Sequence, residues 1–238
     1  ALSDDGNILA VSATFHEGLD KFQVGLVRVF EYSNGSWSRM GEDILGEGSE
    51  DRSGRRISMS NDGRVIAIGA HQNDGANGRK SGHVRVYRYS KEENGTTWEQ
   101  MGQDIDGEKK GDRFGWSVSL SDDGNILAAG AKRGANTKSG AVWIYQYNNE
   151  TNKWIVLGMI PGETENDSFG DEVSLSSMGD AVAISAVNHD GINGKDSGYV
   201  QIYIYNSQGQ EWAKAGNNIY GKGAGDHFGD AVSISADG

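Results

Sequence analysis

The chain contains no cysteine, and proline occurs once in 238 residues. Without thiols there is no disulfide and no thiolate metal site. Secretion is not excluded, because repeats that bury a continuous core need no staples. No apolar run approaches the roughly 18 residues that a membrane-spanning helix requires. Basic residues are in deficit, 22 against 34 acidic ones, which leaves a net charge of −12. That balance argues against nucleic acid and against insertion into or adsorption on anionic membranes. It is compatible with cations, neutral glycans or basic partners. No stretch carries a helical period, a Gly-x-Ser-x-Gly elbow, or a glycine-rich phosphate loop opening a helix. The chain starts mid-repeat at Ala1 with no signal peptide, as expected of a mature product or an excised piece.

Glycine is what the sequence has in excess, 36 residues. Much of it is periodic. The glycine of a tight turn recurs at Gly6, Gly63, Gly124, Gly179 and Gly238, with spacings of 57, 61, 55 and 59. Trp37, Trp98, Trp154 and Trp212 keep the same phase. So do four Gly-led aromatic runs, 25–32, 82–89, 140–147 and 198–205. Each repeat reads as four short strands. In the clearest copy strand A is Val118–Ser121, the turn is Asp122-Asp123-Gly124, and strand B is Ile126–Ala131. Strand C is Ala141–Tyr147, and strand D starts near Trp154. An Asp-Gly pair between alternating runs is a hairpin signal, because the tight turn needs positive φ. Strand B, as in Val65–Ala70, is small and apolar throughout and is expected to be buried on both faces.

Four-stranded antiparallel units in radial repetition make an all-β propeller, here with four repeats of about 58 residues. Expected blade limits are 2–59, 60–120, 121–175 and 176–235 in one domain, 1–238. The last strand, Ala231–Ser235, would complete the first blade beside Ile8–Ser12 if the ring closes at four blades. The rival is a piece of a seven-bladed ring, and a larger parent is slightly preferred.

The units Asp-x-Phe-Gly-x-x-Val-Ser (112–119), Asp-Gly-x-x-x-Ala-x-Gly-Ala (123–131) and Ser-Gly-x-Val-x-x-Tyr (139–145) resemble the FG-GAP repeat of integrin-α-type propellers. With Trp98-Glu-Gln-Met-Gly102 and Gly107-Glu108, the nearest flavour is that of secreted proteins of microalgae and marine bacteria. The resemblance implies a propeller, an extracellular or cell-surface address, and calcium in the A–B hairpins. Here those hairpins, with Asp4, Asp5, Asp62, Asp122 and Asp123, are too short to wrap an ion that wants six or more oxygens. No cofactor is required, and Ca²⁺ is admitted only as an optional ligand.

The B–C loops offer better oxygens. The loop Asn73–Gly78, with Asp74 and Asn77 and with His71 just before it, matches the loop His189–Asp196, with His189, Asp190, Asn193 and Asp196. These are the candidate ligand-binding residues, and Asp74, Asn77, Asp190, Asn193 and Asp196 are the weak metal candidates, set against their ordinary use as turn formers. His16, His71 and His189 could bring three imidazoles to one face, although solvated loop histidines are the plainer reading. Asp51, Asp112, Asp167 and Asp226 before the Phe-Gly positions read as turn-fixing carboxylates. The repeated tryptophans read as packing between blades; unrepeated Trp116 and Trp143 are the better stacking candidates. Sequons stand at Asn34, Asn94, Asn149 and Asn166. The functional expectation is a non-catalytic extracellular adhesion module, binding protein or glycan. Its contact face is made by the B–C loops (15–24, 71–80, 132–138, 188–197) and the D–A loops (47–52, 108–112, 163–168, 222–226). The alternatives are a structural tile that contacts copies of itself and, further off, a propeller hydrolase.

Overall fold

The computed structural model describes residues 1–92, 95–134 and 139–238. Asn94 and residues 135–138 of the third B–C loop lie outside the described residues. Four antiparallel sheets follow one another along the chain, with no helix among the described residues. The first blade holds β1 (Ile8–Ala13), β2 (Leu26–Ser33), β3 (Ser36–Arg39) and β4 (Ile44–Leu45). The second holds β5 (Arg56–Met59), β6 (Val65–Ala70), β7 (His83–Glu92), β8 (Gly95–Gln100) and β9 (Ile105–Asp106). The third holds β10 (Phe114–Leu120), β11 (Ile126–Ala131), β12 (Ala141–Asn148) and β13 (Lys153–Pro161). The fourth holds β14 (Phe169–Leu175), β15 (Ala181–Ala186), β16 (Tyr199–Asn206) and β17 (Glu211–Tyr220). In the first two blades strand D is split, β3 from β4 and β8 from β9. The chain takes a positive φ there at Gly41 and Gly102, +72° at each.

Burial follows the composition. β6 and β15 are buried at every residue, as their small apolar sequences require. The core lies in the interfaces between successive blades. One cluster joins Val65, Ala67, Val84 and Met101 of the second blade to Phe114, Leu127, Trp143 and Trp154 of the third. The indoles of Trp98 and Trp154 reach back one blade and donate to the carbonyls of Met40 (2.9 Å) and Met101 (2.8 Å). Trp37, in the first of the four blades, is 45% exposed.

Two sets of backbone contacts fix each blade to the next. Parallel bridges join Gly25 to Ser53, Gly82 to Phe114 and Gly140 to Phe169. At the A–B turns a second line of bonds runs from blade to blade. Asp4 N–H donates to the Asn61 carbonyl, Asn61 to Asp122, Asp122 to Ser177, and Ser177 to Ala236, all at 2.9–3.0 Å. The segment 231–236 continues this series. Ile234 N–H donates to Ser174 Oγ of β14 at 3.2 Å, in the way that Leu175 uses Ser119 and Leu120 uses Ser58. It bonds to the blade preceding it in sequence, and it does not pair with β1, whose strand partners are β2 and a single bridge from Leu2. The join between Ala231–Ser235 and Ile8–Ser12 that a ring closed at four blades would make is not formed.

Strand A starts earlier than the sequence reading has it, at Phe114 rather than Val118. The reason is a bulge. Gly115 takes φ +77°, and the register of β10 against β11 shifts between Phe114 and Ser117. β14 repeats this with Gly170 at φ +84°. The facing strand must come very close: a Cβ on Gly130 would lie 2.2 Å from the Gly170 carbonyl oxygen. A bulge re-aims the side chain that follows it. Here those residues are Trp116 and Asp171, and Arg55 and Asp230 hold the matching positions of the repeat.

Candidate functional site

Trp116 and its counterpart Arg55 take part in a cleft. It has a volume of about 360 Å³ and is lined by Thr14, Phe15, Arg52, Arg55, His71, Gln72, Lys80, Arg113 and Trp116. The first blade contributes through its B–C loop. The second contributes its B–C loop and the entry to β5, and the third contributes the entry to β10. The face is the one on which the B–C and D–A loops were expected to converge. The lining holds four cations and no carboxylate, in a chain whose net charge is −12.

Each cation is held in place. Arg52 and Arg113 precede the Phe-Gly positions and sit at φ +52° and +58°, as do Ser168 (+60°) and His227 (+48°) in later blades. A side chain is uncommon there. The carboxylate one residue earlier fixes the turn: Asp51 Oδ2 accepts from Gly48 N–H at 2.7 Å, and Asp112 Oδ2 from Lys109 N–H at 2.9 Å. Asp226 Oδ2 accepts from Gly223 N–H at 2.8 Å, and Asp167 bonds His189 Nδ1 at 2.7 Å. The Arg52 guanidinium lies 5.0 Å from the Phe15 ring centroid. Trp116 gathers Lys132 (4.5 Å), Arg55 (5.4 Å) and Arg113 (5.8 Å) around its ring. The indole thus serves as a cation holder rather than a free stacking platform. Trp143 is buried edge-to-face against Phe114 and belongs to the core.

His71 meets Trp116 edge-on at 4.9 Å between centroids. Burial pushes its pKa down to about 3, with Arg55, Arg113, Arg52 and Lys80 adding to the effect. The imidazole is therefore neutral near pH 7, and its buried Nδ1 has no hydrogen-bond partner. Lys132 pairs with Asp171, and Arg56 lies 2.8 Å from Glu172 Oε2, linking the second blade to the fourth. Burial raises the Glu172 pKa, against the pull of Arg56.

The loop residues singled out by sequence are placed as follows. Asp74 Oδ1 accepts from Lys80 N–H (2.9 Å), and Asn77 Nδ2 donates to the Gly107 carbonyl (2.9 Å). In the fourth blade Asp190 Oδ1 accepts from Asp196 N–H (2.8 Å), and Asn193 Nδ2 donates to Gly221 (2.7 Å). The two loops are copies of one turn, closed by Gly75–Gly78 and Gly191–Gly194 bridges. His71 and His189 do not occupy equivalent positions. His71 sits where Lys132 and Val187 sit in other blades, while His189 matches Asn73, which donates to Asp51 at 3.0 Å. Among the described residues, one group of histidine and carboxylates has ligand atoms within 4.8 Å of one another: Glu47, His83 and Asp104. It contains none of the loop candidates. Asn34 and Asn149 are exposed in C–D turns, and Asn166 is exposed in a D–A loop.

A second cleft of about 460 Å³ lies on the outer edge of the third blade, between Gln146–Glu150 and Ile155–Leu157. Its only charged residue is Glu150, so no set of groups converges there. The axial cleft is the better candidate.

Residues 105–145 match the model of the FG-GAP repeat. No curated protein matches the chain. Solved structures share the fold. A protein named as a 6-phosphogluconolactonase from Bacteroides uniformis ATCC 8492 superposes with a TM-score of 0.59 and 17% identity, over 93% of this chain and 54% of that one. One from Bacteroides fragilis NCTC 9343 gives 0.58 and 14%, over 93% and 54%. The periplasmic gluconolactonase of Pseudomonas aeruginosa gives 0.52 and 15%, over 90% and 55%. The chain spans about half the length of these structures. At such identities the likeness establishes the propeller-type fold.

Two expectations are corrected by these findings. The sequence pointed to a non-catalytic adhesion module and to no enzyme. The architecture is instead shared with proteins named as 6-phosphogluconolactonases and a gluconolactonase. His71 and Trp116 were among the sequence candidates; the cleft arginines and Lys80 were not, because they occupy variable slots of two repeats. A signal was available: the slots flanking Phe-Gly differ between copies, Arg52 and Arg55 against Arg113 and Trp116 and against Ser168 and Asp171.

Proposed function

We propose that this chain is part of a propeller hydrolase that opens the cyclic ester of an anionic lactone in the axial cleft. The observation that supports it most is the convergence of Arg52, Arg55, Lys80 and Arg113, with no carboxylate, around a neutral buried histidine. The fold, shared with proteins named for that chemistry, is consistent with it. The guanidinium groups hold the acidic substituent by charge-assisted hydrogen bonds. His71 positions a water and takes its proton as the oxygen adds to the lactone carbonyl carbon. The ring C–O bond then breaks, and the proton passes to the leaving oxygen, giving the open hydroxy acid. Binding of the anion offsets the cations around His71, which raises the basicity of the imidazole when substrate is present.

The test is hydrolysis of 6-phosphogluconolactone and gluconolactone followed by acid release. The phosphorylated substrate should be preferred. Arg55→Ala and Arg113→Ala should each lower kcat/KM by about 10–100-fold, the worth of one charged hydrogen bond. His71→Asn should lower kcat with little change in KM. Release no faster than in buffer would sink the reading. An extracellular address belongs to the same proposal. It is supported by the exposed sequons at Asn34 and Asn149, and glycan mass on both peptides of the secreted protein would bear it out.

A further inference from the structure

The cationic lining does not end at the axial cleft. A second cleft of about 370 Å³ adjoins it, lined by Arg79, Lys80, Lys110, Gly111, Arg113 and Arg133. Lys80 and Arg113 line both. The two clefts together present seven cations: Arg52, Arg55, Arg79, Lys80, Lys110, Arg113 and Arg133. None of the seven is in an ion pair among the described residues. The chain has 34 acidic residues with which to neutralise them. A strip left bare in so acidic a protein is a field aimed at a ligand.

The strip is built, not a chance meeting of surface lysines. The Gly111 N–H donates to the Arg79 carbonyl at 3.0 Å, and the Arg113 N–H donates to the Lys80 carbonyl at 3.1 Å. The Arg133 N–H donates to the Asp112 carbonyl at 3.2 Å. Three loops from two blades are thereby stitched together by backbone, and the spacing of the charges is set by the fold. Lys80 and Arg113 both hold positive φ, +56° and +58°. Arg133 and burial each lower the pKa of Arg113, so the cations are close enough to feel one another.

Each cleft alone is of a size that takes one small molecule. A ligand that uses both must be longer than one ring and must carry acidic groups along its length. Single-stranded nucleic acid fits poorly, because the ring of Trp116, which unpaired bases would need for stacking, is already surrounded by Lys132, Arg55 and Arg113. We infer that the strip is an extended subsite for a linear acidic oligosaccharide, carboxylated or sulfated, whose terminal residue enters the axial cleft. The inference rests on the hydrolase reading only in taking that terminal residue as the reacting end.

The experiment is calorimetric titration of the chain with an oligogalacturonate hexamer, a heparin-derived hexasaccharide and a single-stranded DNA 12-mer. At least one saccharide should bind more tightly than the DNA. Its affinity should fall on the order of 10²-fold between 50 and 200 mM salt, as expected for about four or five ionic contacts. Which saccharide binds tells carboxylate from sulfate recognition. The triple variant Arg79→Ala, Lys110→Ala, Arg133→Ala should bind it about tenfold or more weakly. The same variant should hydrolyse the small lactones as the parent does. Arg79→Lys with Arg133→Lys should keep the affinity. Equal binding by the triple variant, tighter binding of DNA, or no saccharide binding at low salt would overturn the inference. If saccharides bind and no lactone is opened, the hydrolase reading fails and the subsite stands. If lactones are opened and no saccharide binds, the reverse holds.

Discussion

Phe114→Ala should lower the unfolding free energy by about 3–5 kcal/mol, the usual cost of deleting a fully buried aromatic ring. The side chain is 1% exposed. Its ring stands edge-on to Trp143 at 5.9 Å and to Tyr145 at 6.2 Å. Its backbone bridges to Gly82, so the cavity would open in the seam between the second and third blades. Neither neighbour can collapse into it, because both are fixed by backbone contacts on either side. The measurement is urea unfolding, with the midpoint falling and the slope unchanged. Ser53, also 1% exposed, occupies the same position one blade earlier, and Ser53→Ala should cost far less. A loss below about 1.5 kcal/mol for Phe114→Ala would show that the seam repacks, and the account of the core given above would be wrong.

Acid should destabilise the protein well above the range where ordinary carboxylates titrate. Two buried histidines have depressed pKa values, His71 at about 3 and His83 at about 4. Burial is the main cause for both. Cations around His71 and Arg85 beside His83 add to it. In the unfolded chain both return to about 6.5 and take up protons as the pH falls through that value, while the folded chain does not. Stability is therefore complete above about pH 7 and is lost as the pH falls toward the folded-state values. Between pH 7 and 5 the two residues together should remove about 3–4 kcal/mol. Asp112 and Glu172, whose pKa values are raised by burial, act in the opposite sense, but nearer the carboxylate range. Urea midpoints at pH 7, 6 and 5 would measure the loss, and His71→Asn should remove about half of it. A flat profile over that interval would mean that both imidazoles take up protons in the folded protein as they do in the unfolded chain.

The frame was legible in the sequence because it repeats. The Gly6-to-Gly238 series, the tryptophans and the Gly-led strands keep one phase, and most of them stand where neighbouring blades meet. The bulge at Gly115 was not legible as such. An extended strand and a bulged one share the same alternation, and only the register shift accounts for Trp116 lining the cleft. The cleft was hidden for a different reason. Arg52, Arg55, Lys80 and Arg113 come from two repeats, and a net charge of −12 averages away a local cluster of the other sign. The loop carboxylates and amides attracted notice by their resemblance between repeats. Asp74 and Asp190 prove to hold the same loop shape, while the residues that line the cleft are those that differ.

The line of hydrogen bonds through Asp4, Asn61, Asp122, Ser177 and Ala236 bears on how the arc acquires its curvature. Each link ties one A–B turn to the next by a main-chain bond, to which Asn61 Nδ2 adds side-chain bonds to Asp4 and Asp122, so the angle between neighbouring blades is set at the joint by local geometry. Curvature is then a property of the joint, indifferent to how many blades precede or follow. A change of side chain in the cleft leaves that angle untouched. An added or deleted residue in an A–B turn would alter it and would swing every later blade, moving Arg113 relative to Arg52 without touching either.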